Sequence, residues 1–307
     1  MRSSVTLAAE ARRRFAAETH IPVDSIKTAL SLAAYGASLS LPHEFDGYYP
    51  PPYGPQAYVY PPNPTSPNRN AFRVDEHTQE AQSEDLLAAF HLERLRVYAS
   101  NEKTWREIDA LAFETVPLAR EVKAIRRAVA MLEDEIAPEE RKPWWVCAVY
   151  TGGQFPEERA AGGGQLEAEE VIAAYFDDAP TAGHHAEGTR YAVPDAFGIN
   201  CTAVPHVARA VAAAGDALAK TSTLRVGGSG QPWLVLKPNG GQTYDMDKRQ
   251  WGWYGGETRS QGEVWARQVG HIVHAAAERG VWGGILVGGC CKTGEEELHD
   301  LSRILGR

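Results

Sequence analysis

The sequence predicts an α/β fold of the (β/α)8 or TIM-barrel type, in which parallel strands alternate with helices. Two observations lead to this prediction. Short apolar segments alternate with segments of helical period from Ser25 to the end of the chain. Two of the apolar segments run directly into cysteines, at Cys201 and at the adjacent pair Cys290 and Cys291. In a parallel barrel the carboxyl ends of the strands gather at one face, and that face carries the chemistry.

The individual elements follow from hydrophobic periodicity and from turn residues. Helices are predicted over residues 4–18, 75–101, 117–135, 166–177, 205–220, 262–279 and 295–305. Strands are predicted over residues 25–34, 108–116, 143–150, 197–201, 232–237 and 282–289. The first helix is predicted to bury an apolar face that includes Val5, Leu7 and Phe15, and to turn its arginines at 12–14 toward water.

Six strand–helix units are therefore predicted, whereas a complete barrel of this type has eight. The chain shows no break that would divide it, so residues 1–307 are predicted to form a single domain. Its long connections are a Pro- and Tyr-rich loop over 41–73 and flexible loops over 151–165 and 179–195. The first of these loops is either a lid or a surface insertion without a chemical role. Its segment Glu44–Tyr48 follows a strand end and is the part we connect to substrate.

Composition excludes several classes of function. A hydrophobic share of 43% can build a sizeable core, and a net charge of −9 argues against a surface that follows nucleic-acid phosphates. Four cysteines, two of them adjacent, do not form the disulfide framework of a secreted protein and fit a reducing compartment. We find no apolar run near the ~20 residues of a membrane span, nor the apolar core of a signal peptide. We expect a cytoplasmic protein with small-molecule partners and leave a homo-oligomer open.

Cys201, Cys290 and Cys291 are predicted metal ligands. Neighbouring residues of a strand point to opposite faces, so the adjacent pair converges on one ion only where the backbone bends; the two glycines before the pair permit that bend. Three thiolates suit zinc and leave one tetrahedral position open, as in catalytic zinc sites. The alternative is a set of buried apolar cysteines, and we adopt that interpretation for Cys147. The adjacent histidines of the 179–195 loop are interpreted as solvated.

The motif GINCT, followed much later by VGGCCKTG, resembles the homocysteine S-methyltransferase family, which includes betaine–homocysteine methyltransferase. The stretches Tyr35–Ala37, Phe113–Pro117 and Pro238–Gly241 resemble the same family. The similarity extends from about Val5 onward, and the Pro- and Tyr-rich loop looks most like fungal members. The resemblance implies a (β/α)8 barrel that lacks its first one or two strands, because the family's Gly-rich DGG strand end is not found before Val5.

The resemblance also implies zinc-dependent methyl transfer from S-methylmethionine, or from S-adenosylmethionine, to the thiol of L-homocysteine, giving methionine. Cys201, Cys290 and Cys291 would hold the Zn²⁺ that activates the thiol. Glu114 would bind the ammonium group of homocysteine, and Asn200 would bind the substrate or orient the site. In the family, the substrate carboxylate meets backbone amides of the DGG segment, so the resemblance leaves carboxylate binding in this chain open.

Other interpretations stay open beside this one. Tyr48, Tyr49 and Trp251 are candidates for contact with a cationic sulfonium, and each is equally explained by packing. Glu114 is alternatively a structural, salt-bridged glutamate. A second hypothesis, from a different class, is a non-catalytic zinc-binding remnant of the family that has lost turnover through N-terminal truncation. The thiol triad supports both hypotheses, and the sequence does not decide the methyl donor.

Overall fold

The computed structural model describes residues 2–177, 188–220, 230–245, 250–253 and 262–306. Its helices are α1 (Arg2–Thr19), α2 (His77–Ala99), α3 (Glu102–Arg106), α4 (Ala119–Glu135), α5 (Ala168–Phe176), α6 (Val204–Lys220), α7 (Gly262–Glu278) and α8 (Glu295–Ile304). Its strands are β1 (Ala29–Ala33), β2 (Ala110–Val116), β3 (Trp144–Ala148), β4 (Ala196–Asn200), β5 (Trp233–Lys237), β6 (Gln242–Asp245), β7 (Gln250–Trp253) and β8 (Ile285–Val287). None of the described helices is both long and apolar enough to cross a lipid bilayer.

Six strands form one parallel sheet in the order β1–β2–β3–β4–β5–β8. Each predicted strand segment contributes one of them, with ends shifted by a few residues. Within the described residues β1 and β8 are the two edges of the sheet and do not pair with each other. An antiparallel hairpin, β6–β7, follows β5 and was not predicted. Residues 246–249, which separate the two strands in sequence, include neither Gly nor Pro, the residues that signal most hairpins.

The helices pack against one face of the sheet. All eight described helices share a hydrophobic cluster with one alternating set of strand residues, which includes Leu32, Phe113, Val146, Phe197 and Leu236. Successive strand residues point to opposite faces, so the other set points away from the helices. This second face, which no described helix covers and which we call the helix-free face, carries the side chains that flank those residues along each strand. A doubly wound sheet differs in having helices on both of its faces.

Helix α1 forms as predicted, but its buried face is not the predicted one. Val5 is buried, whereas Leu7 and Phe15 are 66% and 54% exposed. Arg12 does not face water; its guanidinium lies 2.9 Å from the carboxylate of Asp109 at the start of β2. Periodicity identifies the apolar residues of a helix, but here ion pairs to the turn before β2 fix the rotation about the helix axis.

The loop over 41–73 is irregular, as its prolines predict, and it reaches into the core. Tyr49 is fully buried, and its hydroxyl donates to the carboxylate of Glu121 on α4 at 2.5 Å. The same carboxylate lies 2.8 Å from Nε2 of His91 on α2 and accepts the backbone N–H of Tyr35 at 2.6 Å. The loop is therefore anchored to two helices by a buried polar network, which a simple surface insertion would not require.

Burial fixes the protonation state of His91 in this network. Desolvation lowers the pKa of His91 and outweighs the opposing effect of Glu121. The Nδ1 atom of His91 is buried without a hydrogen-bond partner. In a protonated imidazolium this atom would be a buried donor without an acceptor, which costs free energy. His91 is therefore neutral, donates through Nε2 to Glu121 and leaves only an acceptor atom unpaired.

We expect Tyr49→Phe to lower the free energy of unfolding by about 1–3 kcal/mol, because it leaves a buried carboxylate oxygen of Glu121 without its donor. Tyr53→Phe is the matched control, since Tyr53 lies in the same loop and its hydroxyl bonds no described residue; its ring stacks on Tyr35 at 4.2 Å. Urea unfolding of both variants measures the effect. Equal stability of the two variants would show that the Tyr49 hydroxyl does not anchor the loop.

The stability of the protein should also fall as the pH drops below about 6.5, the ordinary pKa of histidine. Because the pKa of His91 is lowered in the fold, the unfolded chain takes up a proton there that the folded chain does not. The contribution of His91 to the free energy of unfolding is fully present above pH 6.5 and is lost as the pH falls toward the pKa of His91 in the folded state. His91→Gln keeps a donor for Glu121 and should show a shallower decline on the acid side in thermal unfolding. The same slope in both proteins would assign the acid sensitivity to other groups.

The two remaining loops are described in part. Residues 151–165 contain no helix or strand, but the hydroxyl of Thr151 donates to the carbonyl of Phe45 at 2.7 Å and joins this loop to the 41–73 loop. Residues 178–187, with His184 and His185, lie outside the described residues. The flexibility of both loops and the single-domain assignment stay predictions.

Candidate metal centre and substrate site

The structure brings the three predicted thiols together at the carboxyl edge of the sheet. Cys201 follows β4 directly, and its Sγ lies 2.8 Å from Sγ of Cys290 and 3.7 Å from Sγ of Cys291. Both partners follow β8. All three thiols are free and partly accessible, whereas Cys147 lies fully buried on β3. Among the described residues, these are the one group of three metal-binding side chains within reach of a single ion.

The donor set fits a soft divalent ion. Tetrahedral zinc with Zn–S bonds of about 2.3 Å places its sulfur ligands roughly 3.8 Å apart. The separation of Cys201 and Cys291, 3.7 Å, matches that value. The separation of Cys201 and Cys290, 2.8 Å, is shorter than that value but well beyond the ~2.05 Å of a disulfide, and all three sulfur atoms lie within 4.8 Å of one another. Hydrogen bonds from Cys201 and Cys291 lower the pKa of the Cys290 thiol.

The turn after β5, with the sequence PNGG, holds the cysteine loop in place. The backbone N–H of Cys290 donates to the carbonyl of Pro238, and that of Gly240 donates to the carbonyl of Cys291, both at 2.9 Å. A Cβ atom at Gly240 would lie 2.0 Å from the carbonyl oxygen of Lys292. The two segments therefore approach so closely that only glycine fits at this position.

The bend of the cysteine loop arises after the pair, and the predicted role of the preceding glycines is wrong in part. Lys292 has a φ of 63°, whereas neither Gly288 nor Gly289 has a positive φ. Gly289 is needed for a different reason, because a Cβ atom there would lie 2.2 Å from Cγ2 of Thr293. The prediction considered backbone freedom alone, and close approach decided the residue instead.

We expect Gly240→Ala to weaken metal binding at least ~10-fold, because its methyl group displaces the loop that carries Cys290 and Cys291. Gly288→Ala is the control: a Cβ atom there meets its nearest described neighbour, Cγ of Lys237, at an ordinary 3.9 Å. Zinc retention is measured against a competing chelator for both variants. Equal retention would show that the PNGG turn does not position the thiols.

Asn200 connects the thiols to strand β2. Its Oδ1 accepts the backbone N–H of Thr115, and its Nδ2 donates to the hydroxyl of Thr115, both at 2.8 Å. The same Nδ2 lies 3.6 Å from Sγ of Cys201 and 3.8 Å from Sγ of Cys290. Thr115 and Cys201 have φ values of 58° and 49°, which non-glycine residues adopt rarely. Asn200 contacts both of these residues and so can orient the site; its predicted contact with substrate stays a prediction.

Glu114 lies beside this network and is salt-bridged, as the structural alternative predicted, to a partner that the sequence did not identify. Its Oε1 accepts from Nζ of Lys237 at the end of β5 and from Nε1 of Trp145 at 3.4 Å, with Sγ of Cys147 at 3.8 Å. Burial acts to lower the pKa of Lys237, but the neighbouring carboxylate of Glu114 acts against burial and the net shift is upward, so Lys237 stays charged. In the sequence, the signal that could have indicated this ion pair was a single lysine at the end of an otherwise apolar strand.

The contact between Glu114 and Lys237 also shows that the sheet is curved. Two strands separate β2 from β5, so a flat sheet would hold their residues about 14 Å apart. The side chains meet because the helix-free face is concave. The ion pair therefore lies inside the curve of the sheet, at the same edge as the thiols.

The aromatic candidates for a sulfonium contact fall into different places. Tyr49 is fully buried against Glu121, which agrees with the packing alternative. The ring of Tyr48 stacks near that of Tyr58, with centroids 5.6 Å apart. The side chain of Trp251 lies outside the described residues.

Together, the fold and the site define an α/β protein with a three-thiol centre, suited to a soft metal, at the carboxyl edge of a parallel sheet. Residues 1–305 match the family model described as homocysteine S-methyltransferase, and the chain belongs to this family. The resemblance carried by the two cysteine motifs is thereby confirmed. Membership supports methyl transfer to homocysteine as the class of reaction.

Relatives in bacteria and plants agree with this assignment. The chain is 24% identical over 301 residues to homocysteine S-methyltransferase YbgG of Bacillus subtilis, covering 97% of this chain and 68% of that protein. It is 26% identical over 314 residues to homocysteine S-methyltransferase 1 of Arabidopsis thaliana, covering 100% and 71%. Its fold is similar to the crystal structure of the homocysteine methyltransferase MmuM from Escherichia coli in its metallated form. That similarity has a TM-score of 0.55 and 20% identity, and it covers 98% of this chain and 69% of the other.

Proposed function

We propose that the protein transfers a methyl group from S-methylmethionine, or from S-adenosylmethionine, to the thiol of L-homocysteine and so produces methionine. The observation that carries the proposal is the convergence of Cys201, Cys290 and Cys291 from two distant strands on one half-buried point. Zn²⁺ is the ion that we assign to these thiolates, and when bound it supplies the charge that makes a substrate thiol ionise at neutral pH.

The surrounding residues have distinct tasks in this proposal. Asn200 and the PNGG turn fix the thiols, as described above. Glu114 receives the ammonium group of homocysteine at the neighbouring strand end. The homocysteine sulfur then forms a bond to the methyl carbon while the carbon–sulfur bond of the sulfonium breaks, and the donor leaves as a neutral thioether. The thiol proton leaves before this step, so the chain needs no further general base.

We also infer that the sheet is of the TIM-barrel type. Three observations support this: strands that neighbour one another in chain order, the packing of all described helices on one face, and the curvature that joins Glu114 to Lys237. Four free cysteines suit a reducing compartment, so we propose the cytoplasm as the place of action.

A second candidate function is metal binding without turnover. One observation favours it: the carboxylate proposed to bind the substrate is already paired with Lys237. The test is methionine formation by the purified, zinc-loaded chain from homocysteine and each sulfonium donor in turn, with zinc measured in the same sample. We expect methionine with at least one donor and one zinc per chain. Full zinc in a folded chain without methionine from either donor would favour the second candidate.

A further inference from the structure

The ion pair between Glu114 and Lys237 has the chemistry to recognise an amino acid. An α-amino acid presents an ammonium and a carboxylate group on one carbon atom, and the pair presents one carboxylate and one ammonium side by side. Their side chains are 11% and 23% exposed, so the pair is largely buried and still reachable. Opposite charges that are already paired and partly desolvated form a preorganised site for a zwitterion.

We infer that Lys237 binds the α-carboxylate of the thiol substrate while Glu114 binds its α-ammonium group. This inference rests on the proposed function and adds a residue that determines which thiols are accepted. Neither the thiol triad nor Asn200 offers a cation for a carboxylate, and Lys237 supplies one at the same edge of the sheet.

Both members of the pair have unused bonding capacity. The ammonium of Lys237 has three donors, and among the described residues only Oε1 of Glu114 accepts from it. The hydrogen bonds that Glu114 accepts from described residues all reach Oε1, which leaves Oε2 for a ligand. A substrate can therefore add its contacts without first breaking every bond within the pair.

The ion pair is also placed to meet the end of a thiol substrate that lies opposite its sulfur atom. Lys237 is the direct register partner of Asn200, whose amide lies 3.6–3.8 Å from two of the thiols. Glu114 precedes Thr115, the other hydrogen-bond partner of Asn200. Asn200 thus links the thiols to the two strand ends that carry the ion pair. A ligand with sulfur at one end and a zwitterion a few bonds away matches this order of groups.

Charge balance favours the binding of a zwitterionic substrate to the ion pair. A zwitterion carries no net charge, so its entry replaces one ion pair by two and leaves no buried charge without a partner. A thiol that carries only one of the two charges leaves either Glu114 or Lys237 without a matching ligand group. The site should therefore discriminate against thiols that lack the carboxylate.

The test compares two ligands by calorimetric titration of the zinc-loaded full chain. L-Homocysteine carries thiol, ammonium and carboxylate, and 3-aminopropane-1-thiol lacks only the carboxylate. We expect the wild type to prefer homocysteine and Lys237→Met to lose about 10- to 100-fold of that preference, since a charge-assisted bond is removed. Lys237→Arg keeps the charge and should retain most of the preference. Lys237→Met should bind 3-aminopropane-1-thiol as well as the wild type does, or better.

Three outcomes distinguish a failure of the inference about Lys237 from a failure of the proposed function. An unchanged preference in Lys237→Met, with normal zinc content and normal melting temperature, would overturn the inference and leave the proposed function intact. A zinc-loaded wild type that binds neither thiol would overturn the proposed function. If Lys237→Met does not fold because Glu114 is left unpaired, the double variant Glu114→Gln, Lys237→Met removes both charges. That variant must then lose the preference for homocysteine for the inference to stand.

Discussion

Cys290→Ser should lose both zinc and methyl transfer. Serine keeps the size of the side chain but replaces a soft thiolate with a hydroxyl that does not ionise at neutral pH, so the ion loses one of three protein ligands. Removing a group that merely orients a ligand commonly reduces metal affinity ~10- to 100-fold, and removal of a ligand itself should cost more. We therefore expect zinc affinity to fall by more than ~100-fold, and methionine formation to fall to background.

Cys147→Ala is the matched control for this substitution. Cys147 is the fourth cysteine of the chain, lies on the same concave face, and is fully buried outside the thiol cluster. Its replacement should leave zinc content unchanged and cost stability only through a small cavity. Zinc is quantified in both variants after dialysis against a chelator. Full zinc in Cys290→Ser, or its loss from Cys147→Ala, would contradict the assignment of the centre.

Glu114→Gln should raise the homocysteine concentration needed for half-maximal rate far more than it reduces zinc content. Glutamine keeps an acceptor for Lys237 but removes the negative charge that the substrate ammonium requires. Losing one partner of a buried charge pair typically costs ~2–5 kcal/mol, which corresponds to a KM increase of roughly 30-fold or more. Steady-state kinetics with varied homocysteine and fixed donor measures this change. An unaltered homocysteine dependence would leave Glu114 with a purely structural role.

The order of elements and the place of the thiols could be predicted because each depends on local pattern. The apolar runs before Cys201 and Cys290 identify strands, and parallel strands bring their carboxyl ends to one edge. The first of these strands, β4, is buried, whereas β8 is only partly buried and Leu286 is 40% exposed. The residues lie 89 positions apart in sequence, yet their sulfur atoms lie 2.8 Å apart. Two apolar strand patterns and one geometric rule therefore suffice to find the centre.

The features that escaped prediction depend on contacts between distant segments. The buried face of α1 is set by Arg12 and Asp109, and periodicity does not encode an ion pair. Lys237 meets Glu114 only because the sheet curves, and a strand pattern contains no curvature. The need for Gly240 comes from the carbonyl of Lys292, 52 positions later, which no local rule anticipates.

The origin of the thiols in two separate strands has a consequence for how the chain opens. Strand β8 has three residues, borders only β5 among the described strands, and is followed by the last helix. A short strand with a single neighbour has few contacts to lose and detaches readily by local unfolding. An ion held by Cys201 together with Cys290 and Cys291 links β8 to β4. Its binding stabilises the attached position of β8 by mass action. Metal supply would then set how often the segment from β8 to α8 opens to proteases and chaperones, quite apart from whether any methyl group is transferred.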